Sequence, residues 1–332
     1  MGLEILSKTK HDISLACGCA SLGNLYKSIS DEDAKNTLAK VWDLKYRYFD
    51  TAPYYGFGLS ERRLGDFLRG KKDYILSTKV GRILKADSSY NKDRAYYIDA
   101  LNFKVEFDYS YDGIMRSYED SLQRLGLDKI DILYMHDIGV FTHGDLNKKY
   151  MKIAMTSGLK ALESLKAQGL IKAFGLGVNE TQVCEEALNY GSWDCFLLAS
   201  RYTLLEQDCI SALFPKCKER GISLVLGGVY ASGILASGVV EGAKYNYDNA
   251  DTKILKKVKK MEEICKKYGL PLACVALNFI LLNNLVYKAL IGSSKDKHFA
   301  KAVEYSNTLV PKQLWQDFVK EGLILEQCFD FN

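Results

Sequence analysis

The chain is expected to fold as an α/β protein, a closed (β/α)8 barrel. Short apolar runs alternate with longer helix-like segments almost from end to end, eight such pairs can be counted, and no second class of composition interrupts them. Strands are expected at 13–17, 46–49, 74–78, 130–135, 171–178, 195–199, 223–226 and 286–291. Helices are expected between and after them at 30–44, 60–68, 112–125, 157–167, 181–189, 206–219, 272–282 and 297–305. Ser30-Asp31-Glu32-Asp33 and Ser60-Glu61 have the form of helix starts, a capping hydroxyl followed by acids in the first turn. Gly126, Gly169 and Gly221 stand where helices should stop. The repeated strand–helix unit argues for a parallel sheet, and its count for a closed barrel rather than an open one, in one domain over residues 1–332.

Composition narrows the function. Of 332 residues 48% are apolar and 26% charged, enough for one large core. A formal charge of +4 favours anionic ligands slightly but lacks the concentrated basic face of a nucleic-acid protein. Nine cysteines, including Cys17-Gly18-Cys19, match neither a disulfide framework nor a zinc pattern, so reduced thiols and no metal are expected. The start lacks a basic segment followed by a long apolar core, and the most apolar run, 273–282, is broken by Asn278 and too short to span a bilayer. The expectation is a cytoplasmic protein with a small-molecule substrate, bound to neither membrane nor nucleic acid.

In a barrel of this kind the active site forms at the C-terminal ends of the strands. Asp50 stands at such an end, and Tyr55 follows on a turn rich in Pro and Gly; Lys79 closes the third strand and His136 the fourth. An ordinary tyrosine has a pKa of about 10, too high for proton transfer near neutrality. A neighbouring ammonium favours the phenolate, so Lys79 has a chemical reason to lie close, with Asp50 to orient it. His136 can donate to a substrate oxygen and fix its direction. Each residue alone has a bland reading as a cap, a packing ring or a solvated lysine; four on three successive strand ends do not. Three connections are long enough to carry more than a turn, 81–111, 137–156 and 227–251. The first is rich in rings (Tyr90, Tyr96, Tyr97, Phe103, Phe107, Tyr109), and the last holds Tyr230, Tyr245, Asn246 and Tyr247, suited to a sugar ring.

Phe49-Asp50-Thr51-Ala52-Pro53-Tyr54-Tyr55-Gly56, with Ser60-Glu61 and Leu64-Gly65 behind it, resembles the first signature of the aldo-keto reductases, and residues 122–137 resemble the second. The resemblance covers nearly the whole chain and implies Tyr55 as general acid/base, tuned by Lys79 and Asp50, with His136 orienting the substrate. Residues 21–26, 107–113, 201–207, 227–235 and 242–247 are similar to the family's sugar-dehydrogenase branch, which includes enzymes acting on pyridoxal. The implied reaction is NAD(P)-dependent oxidation of an aldose at its anomeric carbon to a lactone. Reduction or oxidation of an aldehyde or a pyridoxal-type compound on the same site is an alternative, and a non-catalytic cofactor-binding subunit like those of potassium channels is another.

The resemblance further implies that Asn179 binds the nicotinamide carboxamide; an Asn there can equally cap the following helix. Cofactor residues are expected at Gly227, Gly228, Ser232, Gly233 and Leu235, and at Gly292, Ser293, Ser294 and Lys295 near a helix N-terminus that can meet a phosphate. Substrate contacts are expected from Ser21, Tyr55, His136, Tyr230, Tyr245 and Tyr247. The chain departs from the family pattern at Gly227, where a stacking aromatic is common, at Ala199, where Gln is usual, and at Phe299, where a basic residue grips the 2′-phosphate of NADP. NAD is therefore expected to be preferred, with NADP accepted through Lys295. The basic stretch 253–267 carries apolar residues at helical spacing and is expected to be an outer helix, not a membrane or nucleic-acid surface. Cys17 and Cys19 are expected to pack beside the cofactor without a redox role.

Overall fold

The computed structural model describes residues 15–89, 94 and 96–330. Eight parallel strands close into a barrel: β1 (Leu15–Gly18), β2 (Tyr48–Asp50), β3 (Ile75–Val80), β4 (Ile132–His136), β5 (Ala173–Val178), β6 (Cys195–Ala199), β7 (Ser223–Gly227) and β8 (Val286–Gly292). Each pairs with the next in sequence, and β8 returns to β1. Every expected strand forms, and several run one or two residues further than expected, which takes Lys79 and His136 inside β3 and β4. Residues 13 and 14 of the first expected strand lie outside the described residues.

The period-two pattern of a strand explains how the core divides. Ala16, Tyr48, Ile132, Tyr134, Ala173, Cys195, Leu197, Val225 and Leu290 form one buried cluster, the filling of the barrel. Their strand neighbours, among them Leu15, Phe49, Leu133, Phe174, Phe196 and Ile291, join the larger cluster between barrel and helices. Both faces of the sheet are thus apolar, as a barrel wrapped in helices requires.

The main helices are α1 (Asp31–Asp43), α2 (Leu59–Leu68), α3 (Tyr111–Leu125), α4 (Leu159–Ala167), α5 (Thr181–Ala187), α6 (Phe214–Arg220), α7 (Thr252–Lys267), α8 (Leu272–Leu281), α9 (Asp296–Ser306) and α10 (Lys312–Lys320), with a further helix at Asn147–Ile153 and shorter turns between them. Ser30 caps α1 by accepting from the Asp33 N–H at 3.0 Å, and Gly126 and Gly221 end α3 and α6 in the left-handed conformation. Ser60 does not cap α2, which begins after Gly58; its hydroxyl donates instead to the Cys19 carbonyl at 2.7 Å. The helix expected over 206–219 is two, Cys209–Ala212 and α6, because Pro215 has no N–H to continue the ladder. The stretch 253–267 is α7, capped by Asp251 and burying Val258, Met261 and Cys265, with its lysines facing outward except Lys257, which donates to the Leu205 carbonyl at 3.3 Å. α10 follows the eight repeats and was not expected. No single helix among the described residues is long and apolar enough to cross a membrane.

Two of the long connections carry hairpins at the mouth. Arg82–Ala86 pairs antiparallel with Phe103–Phe107, and Lys244–Tyr245 with Asp248–Asn249. Tyr90 lies outside the described residues.

Candidate active site

Strand register assembles the site. Asp50 pairs with Ser77 across β2 and β3, and the Ser77 hydroxyl donates to Asp50 Oδ1 at 2.7 Å. Two residues further along β3, Lys79 reaches back to Asp50 Oδ2 at 2.7 Å and to the Thr51 carbonyl at 2.9 Å, with both charged side chains buried. Tyr55 sits on the turn beyond Asp50, its N–H donating to Ala52 O and its carbonyl accepting from Ser60 N. Gly23 and Gly56 let two loops touch there: a Cβ on Gly23 would lie 2.5 Å from the Tyr55 carbonyl carbon, and Gly56 has φ +64°. Lys79 Nζ ends 4.6 Å from the centre of the Tyr55 ring, and His136, at the tip of β4, meets the same ring edge-on at 6.1 Å. Asp50, Tyr55, Lys79 and His136 therefore come together from three strand ends.

The rest of the signature is scaffold. Ser60 joins Thr51 (2.9 Å) to the Cys19 carbonyl, fixing the start of the Tyr55 turn. Glu61, fully buried, accepts from Thr78 at 2.7 Å and pairs with Arg124 at 2.5 Å, which ties the residue before Lys79 to α3.

Burial dominates the electrostatics. It pushes the Tyr55 hydroxyl well above its ordinary range, reinforced by the Asp50 carboxylate, Tyr247 and Asp137 and opposed by Arg82. The lowered pKa expected from Lys79 is thus not the resting state: Lys79 is neutralised by Asp50 and stands over the ring face, and the phenol is held as an acid. His136 moves well below its usual value through burial and the nearby Arg82 and Lys79 cations, so its imidazole is neutral. Its Nε2 lies 3.3 Å from Asp137 Oδ2, and its Nδ1 has no partner among the described residues. The Nε2–H tautomer fits these surroundings and can also donate to an oxygen beside Tyr55.

Two recesses meet at Tyr55. One is a cavity of about 500 Å³ walled by Leu25, Tyr54, Phe57, Tyr97, Phe107 and Phe141, with Lys79, Arg82, Arg94, His136, Asp137 and Asn179 as its polar groups. The other is a groove lined by Gly18, Ser21, Gly227, Gly228, Ser232, Gly233 and Gly292. A Cβ on Gly233 would meet nothing within 4 Å, and one on Gly292 only Ser21 Oγ, so backbone lies open to a ligand there. Such a cradle fits a long dinucleotide running away from Tyr55. Ser294 and Lys295 share a separate surface cavity with Lys27, Asp33 and Asn36 at the start of α9. Cys19, fully buried, also lines the groove, and burial first, then the neighbouring Cys17, keeps its thiol well above the usual range.

Several expected contacts are corrected by placement. Leu235 is fully buried in the helix-facing core, not in the groove. Tyr245 donates its hydroxyl to Glu206 and lines neither recess. Ser21 and Tyr230 line the groove rather than the substrate cavity. Ser293 is buried and donates to the Lys295 carbonyl at 2.5 Å, a turn contact. Tyr247 borders both recesses from the tip of its hairpin, stacked on Tyr96 at 5.3 Å and donating to Asn179 Oδ1 at 3.2 Å. Asn179 in turn donates to Asp137 Oδ1 at 3.1 Å, so its amide is held between two partners. Sequence reasoning missed Arg82 and Asp137. The available signal was position alone: Arg82 lies just beyond Lys79, and Asp137 directly after His136.

A family model described as the aldo/keto reductase family matches residues 14–320. Among curated proteins, pyridoxal 4-dehydrogenase of Microbacterium luteolum is 40% identical over 322 residues, covering 94% of each chain. D-threo-aldose 1-dehydrogenase of a Pseudomonas species is 33% identical, also over 94% of each. Among solved structures, the holo form of an aldo-keto reductase from Bacillus halodurans superposes with a TM-score of 0.72 at 24% identity, covering 95% of both chains.

Proposed function

The chain is a member of the aldo/keto reductase family and hence an oxidoreductase, and from that premise we propose that it oxidises a ring-closed hemiacetal, an aldose at its anomeric carbon, to the lactone. The observation that carries this reading is Tyr55 at the junction of an aromatic-walled cavity and a glycine-lined groove, with Lys79–Asp50 behind it and a neutral His136 beside it. Flat apolar walls with a few convergent polar groups suit a ring compound of sugar size. Gly227, Gly228, Ser232, Gly233 and Gly292 would hold a nicotinamide dinucleotide along the groove, and it would supply the hydride acceptor. Tyr55 takes the proton of the anomeric hydroxyl while the hydride leaves the carbon, and His136 Nε2–H holds the oxygen as it becomes a carbonyl. Because burial keeps Tyr55 protonated at rest, it must lose that proton before each oxidation, with the Arg82 cation and the Lys79 ammonium over its ring favouring the phenolate. The same groups run backwards in aldehyde reduction, where the protonated phenol is the ready form.

A second reading, a pyridoxal-type hemiacetal, is favoured by the cavity's rings (Tyr54, Phe57, Tyr97 and Phe107), which suit a flat aromatic substrate as well as a sugar, and by the 40% identity to a pyridoxal dehydrogenase. The assembled proton-transfer groups weigh against a purely cofactor-binding subunit.

The proposed cofactor is NAD, with NADP weaker. Gly227, Gly228, Ser232, Gly233 and Gly292 would lie along it, and Asn179 could take the carboxamide only by releasing Tyr247. Phe299, where relatives place a cation, is buried against Tyr46 at 4.9 Å and cannot reach a phosphate. Near Lys295 the same surface cavity carries Lys27 and Lys297 as well as Asp33 and Asp296; the acids suit ribose hydroxyls and offset the pull of the lysines on a 2′-phosphate. The test is an initial-rate screen of L-fucose, L-galactose, D-arabinose and pyridoxal with NAD and NADP run separately. The expected result is turnover of at least one hemiacetal with kcat/KM favouring NAD by about tenfold or more, a difference of about 1.4 kcal/mol. Lys295→Ala should lower NADP use and leave NAD use nearly unchanged. A tenfold preference for NADP overturns the cofactor assignment, and no turnover of any hemiacetal overturns the reaction.

A further inference from the structure

Arg82 is a buried cation of the cavity that the proton-transfer chemistry does not use. It follows β3 at the foot of the Arg82–Ala86 hairpin strand and is 6% exposed. Its Nη2 donates to Asp137 Oδ2 at 2.5 Å, and its guanidinium carbon lies 4.2 Å from the centre of the Tyr54 ring and 5.3 Å from that of Phe107. Its Nε–H has no hydrogen-bond partner among the described residues. A buried guanidinium donor left unpaired costs stability. Stacking on a ring and pairing with a carboxylate hold the guanidinium plane in one orientation while that donor stays unused, and Arg82 itself lines the cavity. Asp137 Oδ2 is also the atom facing His136 Nε2. The two donors therefore sit side by side on one carboxylate oxygen, His136 nearer Tyr55.

We propose that Arg82 is a specificity-determining substrate contact, its guanidinium donating to the hydroxyl oxygen nearest the reacting carbon. The proposal rests on the hemiacetal reading above. With the reacting oxygen held by Tyr55 and His136, the second donor on Asp137 is the one that a neighbouring oxygen meets. Asp137 already balances the Arg82 charge, so the contact accepts a neutral hydroxyl as well as a phenolate. That oxygen is the 2-hydroxyl of an aldose, on the atom next to the reacting carbon, or the 3-hydroxyl of pyridoxal, one ring atom further from the hemiacetal carbon, so one contact serves both candidate substrates. Selection then falls on hemiacetals bearing such a neighbouring hydroxyl.

The experiment compares kcat/KM for L-galactose with 2-deoxy-L-galactose, and for pyridoxal with 3-deoxypyridoxal, in the wild type and in Arg82→Lys. The lysine variant keeps a cation for Asp137 but loses the second, fixed donor, and its thermal unfolding is measured alongside. The wild type should favour the oxygen-bearing member of at least one pair by about 10–100-fold, the value of a hydrogen bond to a charged group. Arg82→Lys should shrink that ratio to about threefold or less through loss on the oxygen-bearing member, with the deoxy member nearly unaffected. Equal rates on both members in the wild type overturn the proposal, as does an equal loss on both in Arg82→Lys, which would mean a structural role only. Failure of the wild type to oxidise either member of both pairs overturns the hemiacetal reading and this contact with it, whereas oxidation without discrimination overturns this contact alone.

Discussion

Tyr55→Phe is expected to lower turnover by about 10²–10⁴, the usual worth of a positioned general acid or base. At about 1.4 kcal/mol per decade, that is a loss of some 3–5 kcal/mol of transition-state stabilisation. The ring stays, so its contacts with Tyr97 and His136 and the loop packing at Gly23 and Gly56 stay too. Cofactor affinity should change little, which fluorescence titration with the dinucleotide measures. The pH dependence supplies the sign. Burial raises the Tyr55 pKa, so the deprotonated form needed for oxidation is scarce at neutrality and grows about tenfold per pH unit on the alkaline side. Wild-type oxidation should therefore climb with pH while chemistry is rate-limiting, and the residual rate of Tyr55→Phe should be flat. A variant with near-normal turnover and an unchanged climb would remove Tyr55 from the chemistry.

Lys79→Met has the second large effect, and it acts on activity and stability together. Removing the ammonium leaves Asp50 as a buried carboxylate with, among the described residues, Ser77 as its remaining side-chain partner. Breaking one side of a buried pair costs about 3–5 kcal/mol. The same change withdraws the cation from the Tyr55 ring and leaves the carboxylate that raises the phenol's pKa. The alkaline limb of oxidation should then move to still higher pH. The double variant Asp50→Asn/Lys79→Met separates the two consequences: it should regain much of the unfolding midpoint without regaining activity. Recovery of activity along with stability would make the pair a structural element only.

The barrel was legible because a parallel sheet apolar on both faces writes its strands as short continuous runs, and because a Lys and a His ending such runs stand out. What stayed illegible was set by partners far away in the chain. Ser60-Glu61 reads as a helix cap by local pattern, yet Ser60 serves Cys19 and Thr51, and Glu61 serves Thr78 and Arg124, the last 63 positions on. Tyr245 and Tyr247 are indistinguishable in sequence; two left-handed residues at the hairpin tip, Asn246 and Tyr247, send one ring to Glu206 and the other to the mouth. Arg82 reads as one more surface cation until the hairpin after β3 folds it onto Tyr54 and Asp137. α10 carries Leu314, Trp315 and Phe318 on its buried face, a readable helical pattern that lies outside the eightfold repeat.

A cyclic hemiacetal should leave the site as a lactone, and the product itself decides it. The enzyme, NAD and an oxidised hemiacetal from the screen would be followed by NMR from the first turnovers, with the reduced cofactor counted in parallel. The lactone should appear first, one per NADH, with the open-chain acid following only at the rate of spontaneous hydrolysis, and the corresponding methyl glycoside should not react. An open-chain acid formed directly, or a methyl glycoside oxidised at another carbon, would contradict the account.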